Sequence, residues 1–160
     1  MDTIANYRIP IYKIMLIRDG SIAVKPTDAI SNSATVVEIV RAYLAGVDRE
    51  HCIILMLDSK NKMIGINTIS VGSLSSSIAH PREVFKPAIL CNAAAIIIAH
   101  NHPSGDPTPS HEDRIVTDRL FWAGELLGIR LLDHIVIGEP THFSFADTGS
   151  GPFTKGGSNV

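Results

Sequence analysis

The pattern of apolar and polar positions along the chain predicts a mixture of strands and helices. Apolar residues recur at helical spacing in segments 34–46 and 110–127, and a third helix is predicted near 81–91, where Pro81 suits the first helical position. Short apolar runs bounded by turn residues predict strands at 7–17, 51–58, 63–73, 93–99, 130–138 and 142–146. The second and third of these strands are expected to pair as a hairpin. Elements in this order predict an α/β fold in which helices sandwich a sheet.

The segment that carries most of the chemistry follows the predicted strand 93–99 and reads HNHPSGDPTPSHED from His100 to Asp113. In extended backbone, the side chains of His100 and His102 point to the same face, roughly 6–7 Å apart along the chain. The Pro- and Gly-rich loop then excludes a helix and turns the chain back, so Asp113 in the first turn of the next helix can approach both histidines. Two neutral imidazoles and one carboxylate suit catalytic zinc, because a fourth position stays open for water.

Ser110 and Asp113 also fit a simpler interpretation. Ser-x-x-Asp at the start of a helix resembles a helix-capping pattern. An aspartate in the first helical turn is favoured by the helix dipole whether or not a metal lies near. The two roles are compatible, because Ser110 can start the helix with its backbone while its hydroxyl faces the metal pocket.

A hydrolytic metal site also needs a general base outside the ligand set. Glu50 lies between the predicted helix 34–46 and the apolar strand Cys52–Leu57, so its carboxylate can reach the rim of a sheet. Glu83 is the rival, although next to Pro81 it more simply favours a helix start. The residues alone give Glu50 a modest lead.

His134 is a further polar residue inside an apolar segment, the predicted strand 130–138. It could orient a metal ligand through a hydrogen bond. A histidine that only satisfies its own hydrogen bonds in the core is the simpler interpretation.

The pattern of Glu50, His100-x-His102 and Ser110-x-x-Asp113 resembles the JAMM motif of the JAB/MPN+ metalloproteases. The surrounding sequence resembles the bacterial RadC-like JAB domain family, over about residues 30–146. The most similar stretches are 48–61, 72–89, 94–113 and 126–138. The resemblance implies the JAB/MPN (cytidine-deaminase-like) fold, a mixed β-sheet flanked by helices.

The same resemblance implies a role for each motif residue. His100, His102 and Asp113 match the zinc ligands, Glu50 matches the general base, and Ser110 matches the serine that supports the oxyanion or the bound water. The implied activity is zinc-dependent hydrolysis of a peptide, amide or isopeptide bond by a metal-activated water. The alternatives are an accessory protein of the RadC type in DNA repair or recombination and a metal-binding scaffold without catalysis, although the intact Glu50 and Ser110 argue against the second.

Composition bounds the domain organisation and the partners. With 160 residues the chain is expected to form one domain over 1–146, followed by a loose Gly- and Ser-rich tail over 147–160. The formal net charge of −2 and the scattered basic residues give no electrostatic footprint for nucleic acid. The helix-hairpin-helix region of longer RadC proteins is also not recognised. We therefore expect a peptide or isopeptide substrate and no direct binding to nucleic acid.

The expected compartment follows from the cysteines and from the lack of targeting segments in the sequence. Cys52 and Cys91 lie in apolar surroundings without metal-ligand spacing, which is typical of free thiols in a reducing cytoplasm. No apolar run has the length of a membrane span, and the first residues do not resemble a signal peptide. These features predict a cytoplasmic protein without a membrane partner.

Overall fold

A mixed five-stranded sheet forms the centre of the computed structural model, which describes residues 9–23, 29–72 and 79–154. The order of the strands across the sheet is β2-β1-β3-β4-β5. Antiparallel pairing joins β1 to β2, β1 to β3 and β4 to β5, whereas β3 and β4 are parallel. The strands are β1 (His51–Leu57), β2 (Met63–Val71), β3 (Ala95–Asn101), β4 (Arg130–Ile137) and β5 (His142–Ser144). The predicted mixed sheet and the β1–β2 hairpin are confirmed.

Helices pack on both faces of the sheet, as predicted. Local sequence explains where the longer helices begin: the Asn32 side chain caps α1, His80 caps α2 just before Pro81, and Ser110 caps α3. The helices are α1 (Ser33–Tyr43), α2 (Pro81–Leu90), α3 (His111–Leu127) and the short α4 (Phe145–Thr148). The α/β architecture, a mixed sheet flanked by helices, agrees with the fold that the resemblance implies.

The two central strands are apolar at nearly every position because both of their faces are buried. Odd-numbered residues of β1, such as Ile53 and Leu55, pack towards α1. Even-numbered residues, such as Ile54 and Met56, pack towards α2 and α3. The same alternation in β3 carries the even-numbered His100 to the face that α3 covers.

Gly124 lets α3 approach the start of β4 very closely. A Cβ atom at this position would lie 2.5 Å from the carbonyl oxygen of Ile129, which no side chain tolerates without a backbone shift. This close approach packs the C-terminal part of α3 against the start of β4.

The buried face of α3 differs from the apolar pattern of its sequence. Two of the predicted apolar residues, Trp122 and Leu126, are 66% and 88% exposed. The residues that the helix buries are instead Asp113, Thr117, Leu120 and Gly124. This face of α3 contacts polar groups on β3 and β4, which favours polar side chains, and it approaches β4 closely, which requires small ones. A pattern of hydrophobic residues detects neither.

The predicted strand at 7–17 is wrong where the structure describes it. Residues 9–17 form neither strand nor helix, and residues 7 and 8 lie outside the described residues. Apolar side chains along this segment are exposed, among them Ile9, Ile11, Tyr12 and Ile17. An apolar run shows a tendency to form a strand, but a strand also requires a partner for its backbone hydrogen bonds.

The predicted loose tail differs from the structure over residues 147–154. These residues complete α4 and form a 3₁₀ turn at Gly151–Phe153. The Phe153 ring packs edge-on against Phe121 of α3, with ring centroids 5.7 Å apart. One aromatic residue therefore anchors a segment whose composition resembles a linker. Residues 155–160 lie outside the described part of the chain, and the single-domain organisation stays a prediction.

Candidate metal centre

Three ligand atoms converge at the end of β3. The Nε2 atoms of His100 and His102 lie 3.0 Å apart. Asp113 Oδ1 lies 3.3 Å from His100 Nε2, and Asp113 Oδ2 lies 3.6 Å from His102 Nε2. A zinc ion held tetrahedrally at its usual bond lengths places neighbouring ligand atoms about 3.3 Å apart. The structure therefore brings together the three residues that the sequence predicts as ligands, in a group that could hold a metal ion.

The loop between β3 and α3 sets the orientation of His102. The backbone N–H of His102 donates to the carbonyl of Ile137, which extends the β3–β4 pairing by one residue. Its Nδ1 lies 2.7 Å from the carbonyl oxygen of Asp106. Because a carbonyl only accepts, Nδ1 carries the proton and Nε2 presents a lone pair to Asp113 and His100. This is the tautomer that a metal ligand requires.

Asp113 is held by the first turn of α3. Its Oδ2 accepts hydrogen bonds from the backbone N–H and the hydroxyl of Ser110, each at 2.7 Å, and its own N–H donates to Ser110 Oγ. Burial opposes the charged carboxylate, but the adjacent His100 ring and the hydrogen bonds from Ser110 hold the pKa of Asp113 well below its usual range. The ligand is therefore ionised before any metal binds.

Glu50 lies beside this cluster. The antiparallel register pairs Cys52 with His100, so Glu50, two residues before Cys52, occupies the same face of the sheet next to His102. Burial, with the charges of Glu50 and Asp113, raises the pKa of the Cys52 thiol. Cys52 is thus a protonated core thiol, as expected, and the role of Glu50 as the base stays a prediction.

Asn101 holds the backbone around Glu50, a role that the sequence did not predict. Its side-chain oxygen accepts from the His51 N–H at 2.8 Å, and its side-chain nitrogen donates to the Arg49 carbonyl at 3.1 Å. The Asn101 amide is therefore hydrogen-bonded to the backbone on both sides of Glu50. Its position between the two histidines of the motif is the signal that could have indicated it.

His134 contacts a candidate metal ligand directly. Its Nε2 lies 2.9 Å from His100 Nδ1, and its Nδ1 lies 2.6 Å from Thr117 Oγ1. Burial lowers the pKa of His134 well below its usual range, so the ring is neutral. Of the two roles considered for His134, the structure supports contact with a ligand. Thr117 was missed, although its position one helical turn after Asp113 places both on one face.

The two remaining polar candidates differ in position. Ser110 is next to Asp113, where it forms the predicted cap, and its part in catalysis stays a prediction. Glu83 is exposed and pairs with Lys86 in the first turn of α2, at 3.0 Å. This hydrogen bond lowers the pKa of Glu83. Its position in the first turn of α2 agrees with the helix-start role expected for it.

The mixed sheet and the two-histidine, one-carboxylate cluster at the end of a central strand define a domain of the JAB/MPN class. Comparison with protein families gives the same result, since the model of the RadC-like JAB domain matches residues 30–150. The chain belongs to the RadC-like JAB domain family.

Curated relatives are similar across most of this chain. A UPF0758 protein of Rubrobacter xylanophilus is 50% identical over 135 residues, which cover 84% of this chain and 59% of that protein. A UPF0758 protein of Caldanaerobacter subterraneus is 49% identical over 121 residues, or 76% and 52% of the two chains. A third, from Moorella thermoacetica, is 54% identical over 110 residues, or 69% and 48%. The chain thus spans about half the length of the curated relatives it matches.

Proposed function

We propose that this domain is a zinc-dependent hydrolase of the JAMM type that cleaves a peptide, amide or isopeptide bond. The observation that carries the proposal is the convergence of His100 Nε2, His102 Nε2 and one Asp113 carboxylate oxygen within 4.8 Å of one another. Two neutral nitrogen ligands and one carboxylate are a common catalytic zinc set. When bound, zinc lowers the pKa of a coordinated water towards neutrality and polarises the carbonyl under attack.

The residues around the ligands supply the proton transfer. Glu50, outside the ligand set, accepts the proton of the attacking water and returns it to the leaving amine. Ser110 is placed beside Asp113 to donate a hydrogen bond to the developing oxyanion. That step requires its hydroxyl proton to leave Asp113 Oδ2, which keeps the hydrogen bond from the Ser110 backbone N–H. Asn101 keeps Glu50 in place through its two bonds to the flanking backbone.

A cleft beside His102 is the proposed place for the substrate. It has a volume of about 420 Å³ and is lined in part by Arg41, Asn101, Gly105 and Glu139. Arg41 and Glu139 give its lining both charge signs, and His102 is the candidate metal ligand that borders it. We propose a peptide or isopeptide substrate for this cleft.

For nucleic acid, membranes and the cellular compartment, the proposal keeps the expectations drawn from the sequence. The net charge of −2 favours no direct contact with nucleic acid, which separates this function from the RadC-type role in DNA repair. No helix in the described ranges is long and apolar enough to cross a membrane. Both cysteines are free thiols, Cys52 buried and Cys91 half-buried, which supports a reducing cytoplasm.

Replacement of the proposed base tests the catalytic role. Glu50→Gln should keep bound zinc and lower the turnover of a cleavable library peptide by at least about 100-fold, because the amide cannot accept the proton of water. Zinc content and cleavage rate, measured on the same preparation, check this. The matched control is Glu112→Gln, which changes an exposed glutamate of α3 and should leave the rate unchanged.

Two results would contradict the proposal. Undiminished turnover of Glu50→Gln would eliminate Glu50 as the base. A zinc-loaded wild-type domain that cleaves no amide, peptide or isopeptide bond in the library would instead support the metal-binding scaffold.

A further inference from the structure

A chain of three buried hydrogen bonds runs from the candidate metal centre to the backbone of α3. It starts at His100 Nδ1, passes through the ring of His134 and the hydroxyl of Thr117, and ends at the carbonyl of Asp113. His100, His134 and Thr117 are each fully buried. Phe145 stacks on the His134 ring with an interplanar angle of 7°, which fixes the plane of the imidazole. Each group in this chain therefore takes its hydrogen bonds from its neighbours and not from water.

The direction of the chain follows from the number of protons that each group carries. The Asp113 carbonyl can only accept, and it lies 2.6 Å from Thr117 Oγ1, so the single hydroxyl proton of Thr117 goes there. The Thr117 oxygen then accepts from Nδ1–H of His134, also at 2.6 Å. A neutral imidazole has one N–H, so His134 Nε2 is an acceptor and takes the proton of His100 Nδ1.

This direction leaves His100 Nε2 with a free lone pair that faces His102 and Asp113. The opposite direction would place a hydrogen on His100 Nε2, at the point where the three ligand atoms converge. It would also withdraw the Thr117 hydroxyl from the Asp113 carbonyl. Only one of the two directions is thus compatible with a ligand role for His100. The same direction also keeps the hydrogen bond from the Thr117 hydroxyl to the Asp113 carbonyl.

We propose that Thr117 and His134 are positioning residues that fix His100 as its Nδ1–H tautomer and aim Nε2 at the metal. This inference rests on the proposed zinc site. Thr117 sets the direction of these hydrogen bonds, because its hydroxyl donates to the Asp113 carbonyl. Asp113 therefore contributes twice, with its carboxylate as a ligand and with its backbone through Thr117 and His134.

Zinc affinity of two Thr117 variants tests the proposal. Thr117→Val keeps the shape of the side chain and removes the acceptor of His134 Nδ1–H, which favours the wrong tautomer in both rings. We expect its zinc affinity, measured by competition with a chromogenic chelator, to fall about 10- to 100-fold, as for other outer hydrogen bonds of metal ligands. Thr117→Ser retains the hydroxyl and should bind zinc like the wild type.

Thr68→Val is the matched control for a lost threonine hydroxyl. Thr68 lies on β2, and its hydroxyl pairs with the Tyr43 hydroxyl at 3.0 Å, away from the chain described above. Its zinc affinity should equal that of the wild type. Equal affinities of wild type and Thr117→Val would overturn the proposal, as would a Thr117→Ser variant as weak as Thr117→Val.

Nitrogen NMR of the wild-type imidazoles gives a readout that depends on neither a variant nor a metal. In the metal-free protein, long-range proton–nitrogen correlations should show a hydrogen on Nδ1 of His134, with Nε2 unprotonated, and a hydrogen on Nδ1 of His100. Detection of the Nε2–H tautomer at His134 would overturn the proposal even if every variant failed to fold. A wild-type protein that binds no zinc but shows the expected tautomers would instead reject the zinc site and the hydrolase.

Discussion

At the scale of single residues, Asp113 joins the folding of a helix to the geometry of the candidate site. Its carboxylate has one oxygen in the N-terminal cap of α3 and the other 3.3 Å from His100. The capping bonds fix the carboxylate in the orientation that a metal ligand needs. The two readings of Ser-x-x-Asp are therefore compatible, because the cap is the means by which the ligand is positioned.

Ser110 allows the capping role to be separated from the proposed catalytic role. Ser110→Ala should lower the free energy of unfolding by about 1 kcal/mol, since it removes a helix cap. It should also lower kcat about 100-fold, since it removes a donor to the oxyanion. Chemical denaturation and steady-state kinetics measure the two effects.

The control for this variant is Asn32→Ala, which removes the cap of α1, where the side chain accepts from Thr35 N–H at 2.9 Å. It should lose similar stability without a change in kcat. If both variants turn over substrate at the same rate, Ser110 acts only as a cap.

The residues of the site were predictable to different degrees. His100, His102 and Asp113 form a compact pattern whose chemistry is visible in the sequence. Thr117 and Asn101 were not predicted, because each acts through one or two hydrogen bonds that depend on how α3 and β1 lie against β3. A hydroxyl or an amide is compatible with many roles until its partners are known.

At the scale of elements, the register of α3 is the feature that the sequence predicts least well. The helix itself is clear from its cap and its length. Its buried face is not, because the side chains that touch the sheet are small or polar, while Trp122 and Leu126 are exposed. Hydrophobic periodicity predicts orientation only where the neighbouring surface is apolar.

The buried carboxyl of Asp133 on β4 is hydrogen-bonded to the end of β5 and the start of α4. It accepts from the Ser144 hydroxyl at 2.6 Å and from the Ala146 N–H at 2.9 Å. Burial raises the pKa of Asp133 to about 6, and these two hydrogen bonds only partly oppose the effect. The folded domain therefore binds this proton more tightly than the unfolded chain does.

This raised pKa predicts a loss of stability as the pH rises. The stabilisation is complete below the ordinary aspartate pKa and disappears as the pH passes through about 6. The change amounts to about 2–3 kcal/mol between pH 4 and pH 7. Asp133→Asn should remove this part of the pH dependence, as measured by denaturation of metal-free protein at both pH values.

Asp48→Asn is the comparison for this experiment, because Asp48 is exposed and its hydrogen bond with Arg49 lowers its pKa to about 2. The Asp48→Asn variant should show the same difference in free energy of unfolding between pH 4 and pH 7 as the wild type. A pH dependence that persists unchanged in Asp133→Asn would show that other groups cause it.

At the scale of the whole molecule, the candidate site lies where the only parallel pair of strands in the described residues ends. The chain leaves β3, crosses through the 102–110 loop and α3, and returns to β4 beside β3. Ligands in sheets of this kind commonly bind at the carboxyl ends of the strands, near the start of the crossover helix. The sequence predicts the strand–loop–helix–strand order, whereas the parallel pairing of β3 with β4 and the edge position of β2 required the structure.

The central claim is that one zinc ion is bound by two imidazoles and one carboxylate. Elemental analysis of protein purified without chelator tests it most directly, with His102→Ala as the ligand variant and His111→Ala, an exposed neighbour on α3, as its control. We predict about one zinc ion per chain in the wild type and in His111→Ala, and a clear loss in His102→Ala. A wild-type protein that holds no stoichiometric transition metal, and takes up none on soaking, would contradict this account.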